Sequence, residues 1–376
     1  MQTQKTERLE SLDILRGFDL FCLVCFQPVL MSLTGAIDAP WTDILMRPFE
    51  HVAWEGFSFW DTIMPLFMFM AGASMPFAFS KYLKSERKSS LYKRILKRVL
   101  LLWLFGMMCQ GNLLAFDFQK IYLYSNTLQA IATGYLIAAL LLMHFKLKGQ
   151  IIVTSTLLLV YWAFLSFVSF DGWGGGNFTP DYNLAEFIDR QVLGRFRDGV
   201  TVTDSGLNFG NYRYTWILSS LNFGVTVMTG VFAGQIMKNN ISHIKKVQWL
   251  TIIGVAMILV GQLWSLQMPI IKKIWTSSMV LHSSGICFLM MALFYYLIDY
   301  KKYSSCFGWL KIYGMNSILA YMLYVIIDFS TISQSLFFGA EQYIGNYYAT
   351  LVQLGNVSIV FLILWVMYRN KIFLKV

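Results

Sequence analysis

The sequence predicts an all-α polytopic membrane protein of about ten transmembrane helices with both termini cytoplasmic, and three observations carry that reading. Of 376 residues 57% are hydrophobic and only 13% charged, about half the charge of a soluble domain. Apolar runs of about 20 residues recur along the chain, each long enough to cross a ~30 Å hydrocarbon core. The basic residues alternate in density between successive connections, as cytoplasmic enrichment of Lys and Arg requires. The net charge of +10 therefore reads as membrane topology and not as a nucleic-acid surface.

Taken in order, the spans fall at 14–34, 57–80, 95–112, 125–144, 150–169, 215–237, 246–266, 276–299, 309–329 and 349–368. Of 30 Lys and Arg, only Arg47, Lys120, Arg190, Arg195, Arg197, Arg213, Lys272 and Lys273 fall on the connections assigned outside; the other 22 fall inside. Glu7, Glu10 and Asp13 precede the first span and no small-x-small site follows it, so that span is expected to be retained. One domain, 1–376, is expected. Its longest outer connection, 170–214, is rich in Gly, Asn and Pro around an amphipathic helix at 183–194, and reads either as a lid or as a plain connector. The loop "KYLKSERKSSLYKRILKR" (81–98) is topogenic, and suits anionic headgroups or a phosphorylated cosubstrate.

Several function classes are absent from the pattern. There is no P-loop, GxGxxG, GxSxG or HExxH, and four histidines leave little room for a multi-histidine metal site. Cys22 and Cys25 form a CxxC within an apolar helix with no neighbouring histidine, which reads as packing thiols. His144 and His243 fall in basic loops, and His282 within the eighth span reads equally as a core residue or a substrate contact.

The titratable groups gather in "FEHVAWEGFSFWDTIMPLFMFMAG" (49–72), at the mouth of the second span. A carboxylate at the centre of a span costs about 2.5–3.5 kcal/mol on insertion scales, so such groups are usually kept for use. Asp61 lies about 6 Å into its span at 1.5 Å per residue. Pro65, four residues on, is expected to bend the helix and free the Asp61 carbonyl. A cavity is expected there, or else a plain ion pair of Asp61 with Arg47 or a helix cap. His51, between the interfacial anchors Trp54 and Trp60, suits proton removal from an amine or hydroxyl, with Asp61 or Glu50 as its orienting acid. Gln27, Asn126, Gln129 and Ser277 fall at a similar outer depth, and Trp275 and Asn316 mark two further spans. Such amides and hydroxyls serve either an oxyanion and sugar hydroxyls or helix–helix adhesion.

On these residues a resemblance can be stated. "RLESLDILRGFDLF" (8–21) and "HVAWEGFSFWDTIMPLFMFMAGASMPF" (51–77) resemble the heparan-α-glucosaminide N-acetyltransferase family, especially its bacterial relatives that acetylate glucosamine-type sugars. "SNTLQAIATGYLI" (125–137), "GVFAGQIM" (230–237), "IKKIWTSSMVL" (271–281) and "GMNSILAYM" (314–322) follow in family order. The resemblance implies transfer of an acetyl group from cytosolic acetyl-CoA to a sugar amine on the far side. It implies His51 as the catalytic histidine, Asp61 as the family's acid and Asn316 as its motif asparagine. Two places depart from the family pattern: Gln27 stands where an Asn is common, and "NYRYTWILSS" (211–220) replaces a DPEG-like turn.

The expected substrate-binding set is Gln27, Glu50, Trp54, Glu55, Asn126, Gln129, Trp275, Ser277 and Asn316. Arg94, Arg98 and Lys238 are expected at the CoA phosphates, with no metal. The alternatives are a sugar transporter, which would show repeated halves and paired broken helices, and an O-acetyltransferase of a surface glycan. The expected setting is a bacterial inner membrane. A homodimer is implied by family similarity, although no heptad or small-xxx-small face demonstrates one.

Overall fold

Inside hydrocarbon a backbone amide finds no water, so each apolar run closes its hydrogen bonds within its own helix. In the computed structural model, which describes residues 9–37, 39–83, 88–110, 113–210 and 214–374, the chain is 73% helical. In chain order the helices are α1 (Glu10–Phe21), α2 (Gln27–Ile37), α3 (Pro40–Met46), α4 (Ile63–Leu83), α5 (Lys88–Cys109) and α6 (Thr127–His144). There follow α7 (Leu147–Phe167), α8 (Leu184–Leu193), α9 (Ser220–Lys238), α10 (His243–Trp264), α11 (Ser277–Phe294) and α12 (Ser304–Phe307). The last are α13 (Leu310–Met315), α14 (Ser317–Ile326), α15 (Ser330–Leu336), α16 (Glu341–Ile344) and α17 (Tyr348–Arg369). A π-helical turn, Cys22–Phe26, joins α1 to α2 in one span, Glu10–Ile37.

Among the described residues eight helical stretches are long and apolar enough to cross a membrane, and nine if one bent pair counts as a span. Eight of the ten expected spans are thus present with ends shifted by a few residues. The expected span 95–112 is α5, whose outward turns include Lys93, Arg94, Lys97 and Arg98, so it is less apolar than its neighbours. The expected span 309–329 is interrupted: α13 stops at Met315, and α14 meets α15 at 76°. Of the charges used for topology, Lys5, Glu7, Arg8, Lys84, Arg87, Arg213 and Lys375 lie outside the described residues, as do positions 211–213 of the departing turn.

The described residues fall into two compact units. The first is drawn from Met1–His51, Ser58–Ile63 and Leu293–Lys375, the second from Val52–Phe57 and Met64–Ala292. In the first unit α1 and α13 cross with glycine facing backbone. A Cβ on Gly17 would lie 1.8 Å from the Leu310 oxygen, and one on Gly314 would lie 1.9 Å from the Asp13 oxygen. Phe21 closes the crossing edge-on against Trp309, with ring centroids 4.8 Å apart. α17 packs along α2 and α15. Gly314→Ala is therefore expected to cost about 3 kcal/mol, the upper range for overpacking, because the clashing atom is backbone and cannot rotate away. Gly35→Ala in α2, with nothing within 4 Å of the added carbon, is the control and should be neutral or slightly stabilising. Thermal unfolding of the two variants in detergent checks this.

The second unit uses the same device. Cβ atoms on Gly72 and Gly230 would each fall 1.9 Å from a carbonyl oxygen, of Val227 and Phe69 respectively, and one on Gly234 would fall 2.3 Å from the Ala73 oxygen. Gly230 and Gly234 are four apart, a small-xxx-small face that is used within the unit. The long connection contains α8 where the amphipathic pattern puts it. α8 buries Leu184 and Ala185 against Tyr161, Met268 and Ile274.

That connection is more than a tether. Fully buried Arg197 pairs with Glu186, which also accepts from Arg190 Nε at 2.8 Å. Asp189 accepts the amides of Trp216 and Ile217 at 2.7 and 2.9 Å, fastening α8 to the approach to α9. Burial pushes the Asp189 carboxyl up to about 7.

Candidate active site

The loop that carries His51 is held from both sides within the first unit. Gln27, the first residue after the π turn, donates through Nε2 to the Phe49 carbonyl at 2.6 Å. Phe26 supports the same residue edge-on, with ring centroids 5.1 Å apart. The 3₁₀ turn Phe59–Thr62 then presents Asp61. Its Oδ2 accepts the Ser58 amide at 3.0 Å, so a Ser-x-x-Asp cap fixes the carboxylate before the span begins. Ser58 Oγ lies 2.6 Å from the Glu50 carbonyl and 3.0 Å from Asp61 Oδ2, which sews the two ends of the loop together.

With one oxygen used by that cap, the other meets the histidine. His51 Nδ1 stands 2.8 Å from Asp61 Oδ1. The Asp61 side chain is 3% exposed and that of His51 is 48% exposed. A buried carboxylate bonded to one ring nitrogen fixes the tautomer, so the Nδ1 proton points at Asp61 and Nε2 carries the lone pair. This is the arrangement of a general base with its orienter. Asp61 is the acid that meets the ring, and the Glu50 side chain is exposed.

Pro65 does not produce the expected kink. α4 begins at Ile63, so Pro65 falls in its first turn, where amides lack helical partners in any case. The proline inside α4 is Pro76.

The other expected residues take hydrogen-bond partners within the fold. Asn126 caps α6, its Oδ1 accepting the Leu128 amide at 2.8 Å, while Gln129 Oε1 accepts the amides of Ser125 and Asn126 and its Nε2 donates to the Leu123 carbonyl. Trp275 is buried and donates to Thr226 Oγ1 at 3.0 Å. Ser277 donates to the Leu158 carbonyl at 2.9 Å. Trp54 donates to the Phe178 carbonyl at 2.9 Å, and Glu55 forms a β-bridge with Ile271, its side chain exposed. All of these belong to the second unit.

Asn316 departs furthest from expectation. It clamps the chain after α17, donating to the Ile372 carbonyl at 3.0 Å and accepting the Leu374 amide at 2.9 Å. That is the Arg369 end of α17. α2 packs toward the Tyr348 end through the turn Gly345–Tyr347, and Pro28, next to Gln27, shares a cavity with Gln353 and Val360. A 22-residue helix separates the two ends by about 33 Å. Asn316 is therefore a tether for the tail, remote from the His51 loop.

The three expected phosphate ligands gather near one end of the second unit. Lys238 Nζ donates to the Pro76 carbonyl at 2.7 Å, and Arg94 reaches the Tyr82 hydroxyl at 3.3 Å, both on the last turns of α4. Arg98 stacks over Tyr135 at 4.4 Å, while Lys93, Arg94 and Lys97 are exposed on α5. Among the described residues no three His, Cys, Asp or Glu side chains are grouped to hold a metal ion.

Ser58 and the Phe49 carbonyl are the contributors that sequence reasoning did not name. The Ser-x-x-Asp spacing of 58 and 61 carried the signal for the first. Nothing local marks the second, because its partner stands 22 residues earlier.

A helical membrane protein that seats a half-exposed imidazole on a buried carboxylate is equipped for proton transfer during group transfer. Residues 8–173 match the model of the family described as heparan-alpha-glucosaminide N-acetyltransferase, catalytic, and Gln27, His51, Ser58 and Asp61 all lie inside that stretch. Over that stretch the chain is similar to that acetyltransferase family, as the resemblance implied. No curated protein matches the chain.

Proposed function

We propose that this protein transfers the acetyl group of cytosolic acetyl-CoA to the amine of a glucosamine-type sugar on the opposite face of a bacterial inner membrane. The observation that carries the reading is the 2.8 Å contact of His51 Nδ1 with buried Asp61 inside the matched catalytic region. Asp61 holds the imidazole with Nε2 toward the acceptor. As the amine nitrogen attacks the thioester carbonyl, His51 Nε2 takes the amine proton. The C–N bond forms, the C–S bond breaks, and the proton passes from His51 to the departing sulfur. The products are an amide and free CoA thiol, so atoms and charge balance. Gln27 acts by holding Phe49, and through it the height of the His51 loop. Arg94, with Lys93 and Lys97 beside it, supplies exposed positive charge for the CoA phosphates. Lys238 and Arg98 contribute mainly by packing at the same end.

A transporter reading finds one observation in its favour, the α14–α15 break. Transporter sites use such breaks in corresponding halves, and among the described residues one bent pair occurs. Purified protein given acetyl-labelled CoA and glucosamine is expected to release CoA and form N-acetylglucosamine in equal amounts. Uptake of sugar into proteoliposomes without CoA release would sink the proposal, and an ester product would move it to O-acetylation.

A further inference from the structure

The first unit contains a cavity of ≈ 530 Å³ between the start of α2, the α14–α15 break and α17. Val24 and Pro28 form one wall and Val357 and Val360 another, while Tyr324, Asp328, Gln353 and Asn356 supply its polar groups. Its size falls in the range of small-molecule sites, which are mostly apolar with a few convergent polar groups. The catalytic loop does not line it. It nevertheless lies at the depth of that loop, because Pro28 follows Gln27, whose amide holds Phe49.

The break itself argues that the cavity is wet. Residues 327–329 are non-helical and Asp328 is exposed, although α14 and α15 on either side are apolar enough to form a span. Non-helical backbone at membrane depth is tolerated where it is buried in protein or lines a water-filled space, and an exposed carboxylate at the break selects the second. Asp328 Oδ1 accepts the Ser330 amide at 2.8 Å, which fixes the carboxylate at the break. Opposite, Asn356 Oδ1 accepts from Ser333 Oγ at 2.7 Å, which directs its NH₂ toward Gln353, 3.4 Å away. A carboxylate, two amides and a phenol above aliphatic walls match an ammonium-bearing pyranose. The carboxylate takes the ammonium in a charge-assisted bond, the amides and phenol take hydroxyls, and the walls take the ring face.

We infer that this cavity binds an amino-sugar unit of the acceptor remote from the amine being acetylated, so that the preferred acceptor is an oligomer of free amino sugars. This rests on the amino-sugar reading above and adds a second subsite to it. A sulfated or carboxylated unit is repelled by Asp328 and is excluded from the same place.

Calorimetric titration of the full chain in nanodiscs, without acetyl-CoA, compares glucosamine with its free-amine tetramer, N-acetylated tetramer and sulfated tetramer. The free-amine tetramer should bind at least tenfold more tightly than the monomer, and Asp328→Asn should remove that advantage. With acetyl-CoA present, Asp328→Asn should raise KM for the tetramer about tenfold while kcat holds. Equal tetramer affinity in wild type and Asp328→Asn overturns the inference, as does tighter binding of the sulfated tetramer. If Asp328→Asn does not fold, Gln353→Leu serves instead, with several-fold weaker tetramer binding expected and unchanged binding overturning the inference. Asp328-dependent tetramer binding without acetyl transfer to any amino sugar would leave the subsite and remove the proposed reaction. Transfer with equal KM for monomer and tetramer would do the reverse.

Discussion

Replacing His51 by Ala is expected to lower kcat for acetyl transfer by about 10²–10⁴, the usual contribution of a positioned general base. The fold should survive, because the His51 side chain is half exposed and its removal leaves no sealed void. Two readouts separate lost chemistry from lost structure. KM for acetyl-CoA should stay within a factor of a few, since the expected phosphate ligands belong to the other unit. Added imidazole should restore part of the rate by supplying the missing base in solution. Wild-type turnover in the variant would remove the histidine from the mechanism and leave the membrane fold as it stands.

Asp61→Asn is expected to fall in the same range, about 10²–10⁴ in kcat, by a different route. The carboxylate accepts at both oxygens: His51 Nδ1 on one side, the Ser58 amide on the other. An asparagine can accept at only one of them. If its oxygen stays on Ser58, its NH₂ faces His51 Nδ1 and forces the proton to Nε2, which leaves no base toward the acceptor. If the amide flips, the cap is lost and about 1 kcal/mol of local stability with it. In the first orientation the effect appears in kcat more than in acceptor KM, whereas the flipped amide still accepts from His51 Nδ1 and keeps the tautomer. ¹⁵N chemical shifts of the His51 ring should report a changed tautomer, a signature that a merely structural role for Asp61 would not produce. An unchanged ring spectrum together with a collapsed melting transition would reduce Asp61 to a cap.

Periodicity and composition locate a span well because a run of apolar residues has only one way to satisfy its backbone in lipid. They place α8 for the same kind of reason, since its apolar face repeats at helical spacing. They say less about interruptions. The break at Ile327 to Phe329 is hidden in a stretch that averages apolar, and Pro65 draws attention although it sits in a first turn where proline costs little. Depth along a span is also a weak guide to convergence. The sequence pattern expects Asn126 and Gln129 at the depth of Gln27, yet they cap the helix they begin. An amide at a helix start has a backbone partner two or three residues away, and that local bond competes with any distant ligand.

The sequence by itself determined the membrane class, most of the spans, and the gathering of a histidine with candidate acids in one short stretch, because each depends on local hydropathy or on one compact motif. Only the tertiary structure decided how that motif is supported. Gln27 reaches Phe49 across 22 positions, Gly17 and Gly314 let two backbones touch, and Asn316 is taken up by the chain's own tail. The physical reason is one of range. A helix is specified by neighbours within four residues, whereas a hydrogen bond or a close packing between distant segments is specified by which helices lie side by side, and a linear pattern carries no distance between them.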